Sequence, residues 1–240
     1  MMKSFIMMLT YITRIPYPVK LEYDEQTFAK GLFAMPIIGI FIGMVMAGVM
    51  WIMKETLPQV KAFLIILIYL IMVGGLHLDG LADYMDGIFS GRTKVRILEI
   101  MGDSHIGSFG VVGLCLYFLG IYTGLQYSSW QAVLLAPVVA RTMAVWVIGF
   151  GTYAKEDGMG KGLIDYGRPW HGLSMFTILT AVIFFWQPIL IKSVFMVLFG
   201  TILFLRWTTK KIGGITGDVI GTVIESTQIF WLLTIIIFGG

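Results

Sequence analysis

Seven apolar runs, at about 31–53, 62–76, 109–127, 130–153, 173–191, 194–207 and 217–238, account for most of the chain. A hydrocarbon core of roughly 30 Å takes about 20 helical residues to cross. Backbone N–H and C=O groups find no water in lipid, so such runs are expected to fold as transmembrane helices, each bonded within itself. Composition agrees: 58% of the 240 residues are hydrophobic and 13% charged, against roughly a quarter charged in soluble domains. The expected class is therefore all-α, a polytopic integral membrane protein with about seven transmembrane helices in one membrane-embedded domain, residues 1–240. A shorter apolar segment at 4–13 predicts an extra helix, and its length leaves open whether it spans or lies in the interface. After it comes "TRIPYP", with Arg14 and two prolines where a cleavable leader would carry small residues. The start is expected to be retained.

Charge gives the expected orientation. Thirteen of the 17 basic residues fall on one side of a seven-span arrangement: Lys3, Arg14, Lys20, Lys30, Arg92, Lys94, Arg96, Lys155, Lys161, Arg168, Arg206, Lys210 and Lys211. Lys54, Lys61 and Lys192 fall on the other, and Arg141 lies inside the fourth run. Positively charged loops stay cytoplasmic, which predicts a cytoplasmic N-terminus in the inner membrane of a prokaryote. A net charge of +3, with single scattered basic residues, gives no nucleic-acid footprint. Cys115 is the single cysteine, which excludes an intrachain disulfide framework and a thiolate metal cluster.

On the expected cytoplasmic side, directly after the second run, stands "GGLHLDGLADYMDG", residues 74–87. If the segment is helical, offsets of four and seven residues put Asp79, Asp83 and Asp86 within a sector of roughly 60°. Carboxylates on one face repel unless a cation sits among them. Mg²⁺ suits that place, being an oxygen-loving ion that keeps positions free for substrate phosphates. The alternative is a solvated loop whose aspartates cap helices.

Three further features follow. "RTKVRILEIMGDSHIGSFG" reads as an amphipathic surface helix and then a Gly/Ser-rich turn containing Asp103, Ser104 and His105. That turn feeds the third span, and free N–H groups at a helix start suit phosphate. Arg141 within a span needs a partner or a polar cavity, since an ionised side chain there costs a few kcal/mol or more. Asp218 and Glu225, seven residues apart in the last span, share a face behind the small-residue start "GGITGDVIGT". An ion pair of Arg141 with one of these acids is one reading. A polar cavity joining them to the aspartate stripe is the other.

"LHLDGLADYMDG", "RILEIMGDSHIGSFGVVGL", "ARTMA" and "GGITGDVIGTVIE", in that order, closely resemble the cobalamin synthase family, the adenosylcobinamide-GDP ribazoletransferases. "YITRIPYP" and "FAMPIIGIFIG" are similar too. Departures are His105, where many members carry arginine, and Tyr84 and Met85 in place of smaller residues. The resemblance implies a Mg²⁺-dependent membrane enzyme in which the 5′-hydroxyl of α-ribazole, or its 5′-phosphate, attacks the diphosphate of adenosylcobinamide-GDP. GMP leaves, and adenosylcobalamin or its 5′-phosphate forms. On that basis Asp79, Asp83 and Asp86 are expected to hold Mg²⁺ and the diphosphate, with Asp83 at the reacting centre. Asp218 or Glu225 is expected to hold a second ion or accept the hydroxyl proton, with His77 a competing base. Arg14, Asp103, Ser104 and Arg141 are expected to bind substrate. The expected partners are the two substrates and the lipid bilayer; a homo-oligomer and association with other corrinoid-pathway enzymes stay open. The rivals are a CDP-alcohol phosphotransferase, whose DGxxAR spacing is not met here, an aspartate-rich prenyltransferase, which would show an adjacent aspartate pair or a denser cluster, and a secondary transporter, for which the halves lack evident similarity.

Overall fold

The computed structural model describes residues 2–18, 22–158 and 160–238, so Lys20 lies outside the described residues. It is built of helices: α1 (Met2–Ile12), α2 (Glu25–Ala29), α3 (Ala34–Ile52), α4 (Pro58–Val73), α5 (Leu76–Phe89) and α6 (Lys94–Ile100). Then come α7 (Ser108–Tyr127), α8 (Trp130–Phe150), α9 (Lys161–Tyr166), α10 (Pro169–Trp186), α11 (Ile191–Ile212) and α12 (Gly217–Phe238). Among the described residues six helical segments are long and apolar enough to cross a membrane, and α4 with α5 makes a seventh if the bent pair is one span. β pairing among these residues is one isolated parallel bridge, Tyr153 to Ile215.

Three spans differ from the hydropathy reading. The fifth, expected at 173–191, runs from Pro169 to Trp186, since Pro169 opens the helix and Pro188 follows its end. The sixth, expected at 194–207, runs from Ile191 to Ile212, because Arg206, Lys210 and Lys211 end an apolar run without ending a helix. Lys210 and Lys211 in the last turn suit the negative end of the helix, which Gly213 terminates at φ +79. The second span stops at Val73. Gly74, at φ +73, turns the chain through 96° into α5. Arg14 secures this bend, its N–H donating to the Met72 carbonyl at 2.6 Å and its side chain lying over Gly74.

The hub is α8, buried over nearly its whole length and packed by α3, α10 and α12. Close approach to α3 depends on missing side chains. A Cβ at Gly39 would stand 2.7 Å from the Pro137 carbonyl oxygen, and one at Gly43 would collide with that of Leu134. Large apolar side chains such as Trp51, Phe63, Leu119, Phe185 and Phe199 project outward, as expected of a surface bathed by lipid. The N-terminal helix is not wholly superficial: Ser4, Met7, Met8 and Ile12 of α1 are buried.

The second crossing that matters is α5 on α12. A Cβ at Gly80 would sit 2.9 Å from the Asp218 Cα, and one at Gly221 3.1 Å from the His77 Cα. Thr222 sits at the contact, its hydroxyl reaching the Gly80 carbonyl at 3.3 Å and that of Asp218 at 2.7 Å. Tyr84 secures the outer side of α5. Its hydroxyl bonds to that of Thr208 on α11 at 2.6 Å, and its ring packs on Phe204 and Trp207.

Because the atoms facing Gly43 are backbone and cannot swing aside, Gly43→Ala is expected to destabilise the protein by about 1–3 kcal/mol. Gly48 in the same helix faces open space. Gly48→Ala is therefore expected to be neutral or to stabilise by up to about 1 kcal/mol. Thermal unfolding of the two variants in one detergent measures the difference.

Candidate active site

Where α5 crosses α12 there is a cavity of about 300 Å³. His77 and Asp79 line it from α5, Thr216 and Asp218 from the start of α12, Tyr11 from α1, and Tyr153 and Lys155 from the segment after α8. The bridge fixes that segment: the Ala154 N–H donates to the Ile215 carbonyl at 2.9 Å, and the Ile215 N–H to that of Thr152 at 2.8 Å. It thereby ties Lys155 to the strand-like stretch that leads into Asp218. Thr216 donates from its hydroxyl to the Asp218 carboxylate at 3.1 Å and accepts from the Val219 N–H at 3.4 Å, so one residue caps α12 and orients its first acid.

A second cavity, of about 370 Å³, lies on the other side of α5, lined by Asp79, Asp83, Ser104, Leu114 and Phe118 among others. Asp79 borders both. Asp83 is half-buried and within electrostatic reach of Asp79, Asp218 and Asp86, with Lys155 the opposing charge.

Asp86, expected as the third member of a metal-binding stripe, is otherwise engaged. Its two oxygens accept from the Gly107 N–H at 2.7 Å and the Gly110 N–H at 2.9 Å, at the start of α7. The backbone donors that the Gly/Ser-rich turn was expected to offer phosphate are thus taken by the protein's own carboxylate, which the positive end of the helix favours. Helical spacing also explains the division. Seven residues put Asp86 about 10 Å along the axis from Asp79, whereas four put Asp83 about 6 Å away, so a shared face is not a shared point.

Glu225 occupies a different environment from Asp218. It is fully buried, accepting from the Tyr69 hydroxyl at 2.7 Å and the Gln228 amide at 3.1 Å. His77 Nδ1 stands 3.4 Å from it without hydrogen-bond geometry. The alternative of an ion pair between Arg141 and an acid of α12 is not what the structure shows. Among the described residues Arg141 forms no salt bridge, and Glu225 is matched to His77 instead. The Arg141 side chain is wholly buried, its Nη1 donating to the Pro137 carbonyl at 3.3 Å, while Nε and Nη2 have no partner among the described residues. It lies within electrostatic reach of the Tyr69 and Tyr117 hydroxyls.

The remaining expected substrate-binding residues separate. Arg14 sits over the Gly74 bend. Ser104 lines the second cavity, whereas Asp103 belongs to an open surface depression with Arg92, Arg96 and His105. Asp103 Oδ1 lies 2.6 Å from His105 Nδ1 and accepts from the His105 N–H at 3.1 Å. That hydrogen bond raises the imidazole above its ordinary pKa and lowers the carboxyl below its own. Lys155, Tyr11, Tyr153, Tyr69 and Gln228 were not singled out from the sequence. For Gln228 a signal existed, a polar side chain one turn from Glu225 in an apolar helix. Lys155 had none beyond its sign, since a three-dimensional clip brings it to the site.

Fold and site define a polytopic α-helical membrane protein with carboxylate-lined cavities beside a bend in its second span. The chain belongs to the cobalamin-5-phosphate synthase family, whose model matches residues 4–236. It is 37% identical to the adenosylcobinamide-GDP ribazoletransferase of Alkaliphilus oremlandii, over 97% of this chain and 96% of that one. The enzymes of the same name from Clostridium acetobutylicum and Geotalea daltonii are 36% and 32% identical, covering 97% and 100% of this chain and 95% and 99% of theirs. No solved structure matches it.

Asp86→Ala is expected to leave the Gly107 and Gly110 N–H groups without their anion and to cost about 1–3 kcal/mol. Hydrogen exchange should rise around residues 103–110. Asp79→Ala, which removes no such cap, should leave that exchange unchanged.

Proposed function

We propose that this protein is a membrane transferase that joins adenosylcobinamide-GDP to α-ribazole, or to α-ribazole 5′-phosphate, with release of GMP. The observation that carries the proposal is the position of Asp79: on the wall between two cavities, one turn from Asp83 and facing Asp218 and Lys155. A reaction between two substrates at a diphosphate needs both brought to one charged point, and its catalysis consists mainly of positioning and charge neutralisation. The full-length family match, with relatives named for this reaction, supports the same conclusion.

The donor set fits Mg²⁺. Asp79 and Asp83 offer hard oxygen ligands one turn apart, and Mg²⁺ is commonly held by one or two carboxylates plus substrate phosphates. Among the described residues no three His, Cys, Asp or Glu side chains are grouped to hold a metal ion, so substrate oxygens would complete the shell. When bound, the ion would supply neutralisation of the diphosphate charge. Asp86 acts in this scheme by holding the start of α7 against α5. We assign the proton-accepting role to Asp218, which lines the cavity and is oriented by Thr216, with His77 on the same wall as its competitor. Glu225, sealed among Tyr69 and Gln228, lies behind His77 and supplies a negative charge there. Arg141 balances charge in that buried core, and Arg14 holds the bend from which α5 departs.

One detail of the expected chemistry changes. A product that keeps a 5-phosphate, as the family's description states, cannot arise by attack of the 5′-oxygen that carries it. The nucleophile is then one of the ring hydroxyls of the ribose. The excess of basic residues on one side of the spans supports a site that faces the cytoplasm.

Protein in liposomes, supplied with adenosylcobinamide-GDP, α-ribazole 5′-phosphate and Mg²⁺, is expected to yield GMP and a cobalamin product by chromatography. Chelation should stop the reaction and added Mg²⁺ restore it. Asp79→Ala and Asp83→Ala should each lower kcat by about 100-fold or more while the protein stays folded, given the usual size of charge-stabilisation effects. Folded wild-type protein that forms no product would overturn the proposal.

A further inference from the structure

The two cavities that meet at Asp79 differ in shape and chemistry. The 300 Å³ cavity is the more enclosed, with the rings of Tyr11 and Tyr153 and the thioethers of Met8, Met35 and Met101 on its walls. Flat rings and polarisable sulfur favour a flat, apolar heteroaromatic group. Its polar side carries Lys155 as the one lysine, with Asp79, Asp157, Asp218 and Thr216. Small-molecule sites of about 300–1,000 Å³ enclose most of their ligand, so this cavity takes a nucleoside and is too small for a corrinoid nucleotide. The second cavity is more open, running past the exposed Ile106 between α5 and α7, with Asp83 and Ser104 on its wall.

Displacement at phosphorus places the attacking and leaving oxygens roughly in line on opposite sides of the transferred group. Two substrates that enter from opposite sides of Asp79 satisfy that demand. Resting on the function proposed above, we infer that the enclosed cavity is the nucleoside subsite. The heteroaromatic base lies among Tyr11, Tyr153 and the methionines, and a 5′-phosphate, where present, meets Lys155. The ribose hydroxyl turns toward Asp79 and Asp218. The corrinoid nucleotide brings its diphosphate from the Asp83 side, leaving the bulky corrinoid outside. In the step itself a ribose oxygen–phosphorus bond forms, the bond from that phosphorus to the GMP oxygen breaks, and GMP leaves with the electron pair. Asp218 takes the hydroxyl proton.

The test is steady-state kinetics with each substrate varied in turn, together with equilibrium binding of α-ribazole alone. Tyr153→Leu and Tyr11→Leu are expected to raise the KM for α-ribazole about tenfold, as loss of an aromatic platform does, and to weaken its binding equally. The KM for adenosylcobinamide-GDP should stay within about twofold. Lys155→Met should raise the KM for α-ribazole 5′-phosphate about tenfold, as loss of a charge-assisted contact does, and that for free α-ribazole far less. Leu114→Trp, which fills the second cavity, should raise the KM for the corrinoid nucleotide alone. The reverse pattern, or equal effects on both substrates, would overturn the assignment. Unchanged α-ribazole binding in both tyrosine variants would overturn it too. Wild-type protein that binds α-ribazole through Tyr11 and Tyr153 yet forms no product would remove the proposed reaction and leave the subsite standing.

Discussion

The contact on which the site depends is backbone against backbone: α5 lies directly on the first turns of α12 through Gly80 and Gly221. Hydrocarbon supplies little apolar drive between helices, so small residues that admit close van der Waals packing carry the association. This one crossing sets Asp218 beside Asp79 and Asp83, and His77 beside Glu225. Residues nearly 140 positions apart thereby form one acidic wall, and Thr222, bonded to both helices, pins their register.

Glu225 and Arg141 show how the same bundle tolerates charge in its interior. A buried carboxylate is held by hydrogen bonds that favour its charged form, here from Tyr69 on α4 and Gln228 on its own helix. His77 adds a link to α5. Such a cluster joins α4 to α12 by directional hydrogen bonds where apolar packing alone would let them slide, and α5 meets it through the charge of Glu225. The hub helix contributes the matching positive charge through Arg141, without a direct ion pair among the described residues.

Much of this was legible in the sequence, because membrane solvation makes length and polarity nearly decisive. Seven apolar runs, the helical course of Asp79 to Asp86 and the small-residue start of α12 all follow from local rules. Legibility ended where a residue's partner lay elsewhere in the chain. Asp86 shares its stripe with Asp79 by periodicity, and nothing local says that α7 begins against it. Lys155 is one basic loop residue among several until the bridge to Ile215 sets it beside Asp218. Glu225 shares a face with Asp218, yet the offset of seven residues carries it from the cavity wall into the sealed core. The sixth span was cut short because hydropathy measures solvent preference and a helix ends where its backbone does, at Gly213.

The bend at Gly74 also has a meaning for the bilayer. The sixteen residues of α4 rise about 24 Å, less than the roughly 30 Å of a typical hydrocarbon core. A helix that short, turning sideways with three aspartates on its continuation, matches a bilayer that thins locally around a short segment. A bilayer thinned in that way leaves the carboxylates within reach of water and of solutes held among the headgroups, with no passage through hydrocarbon.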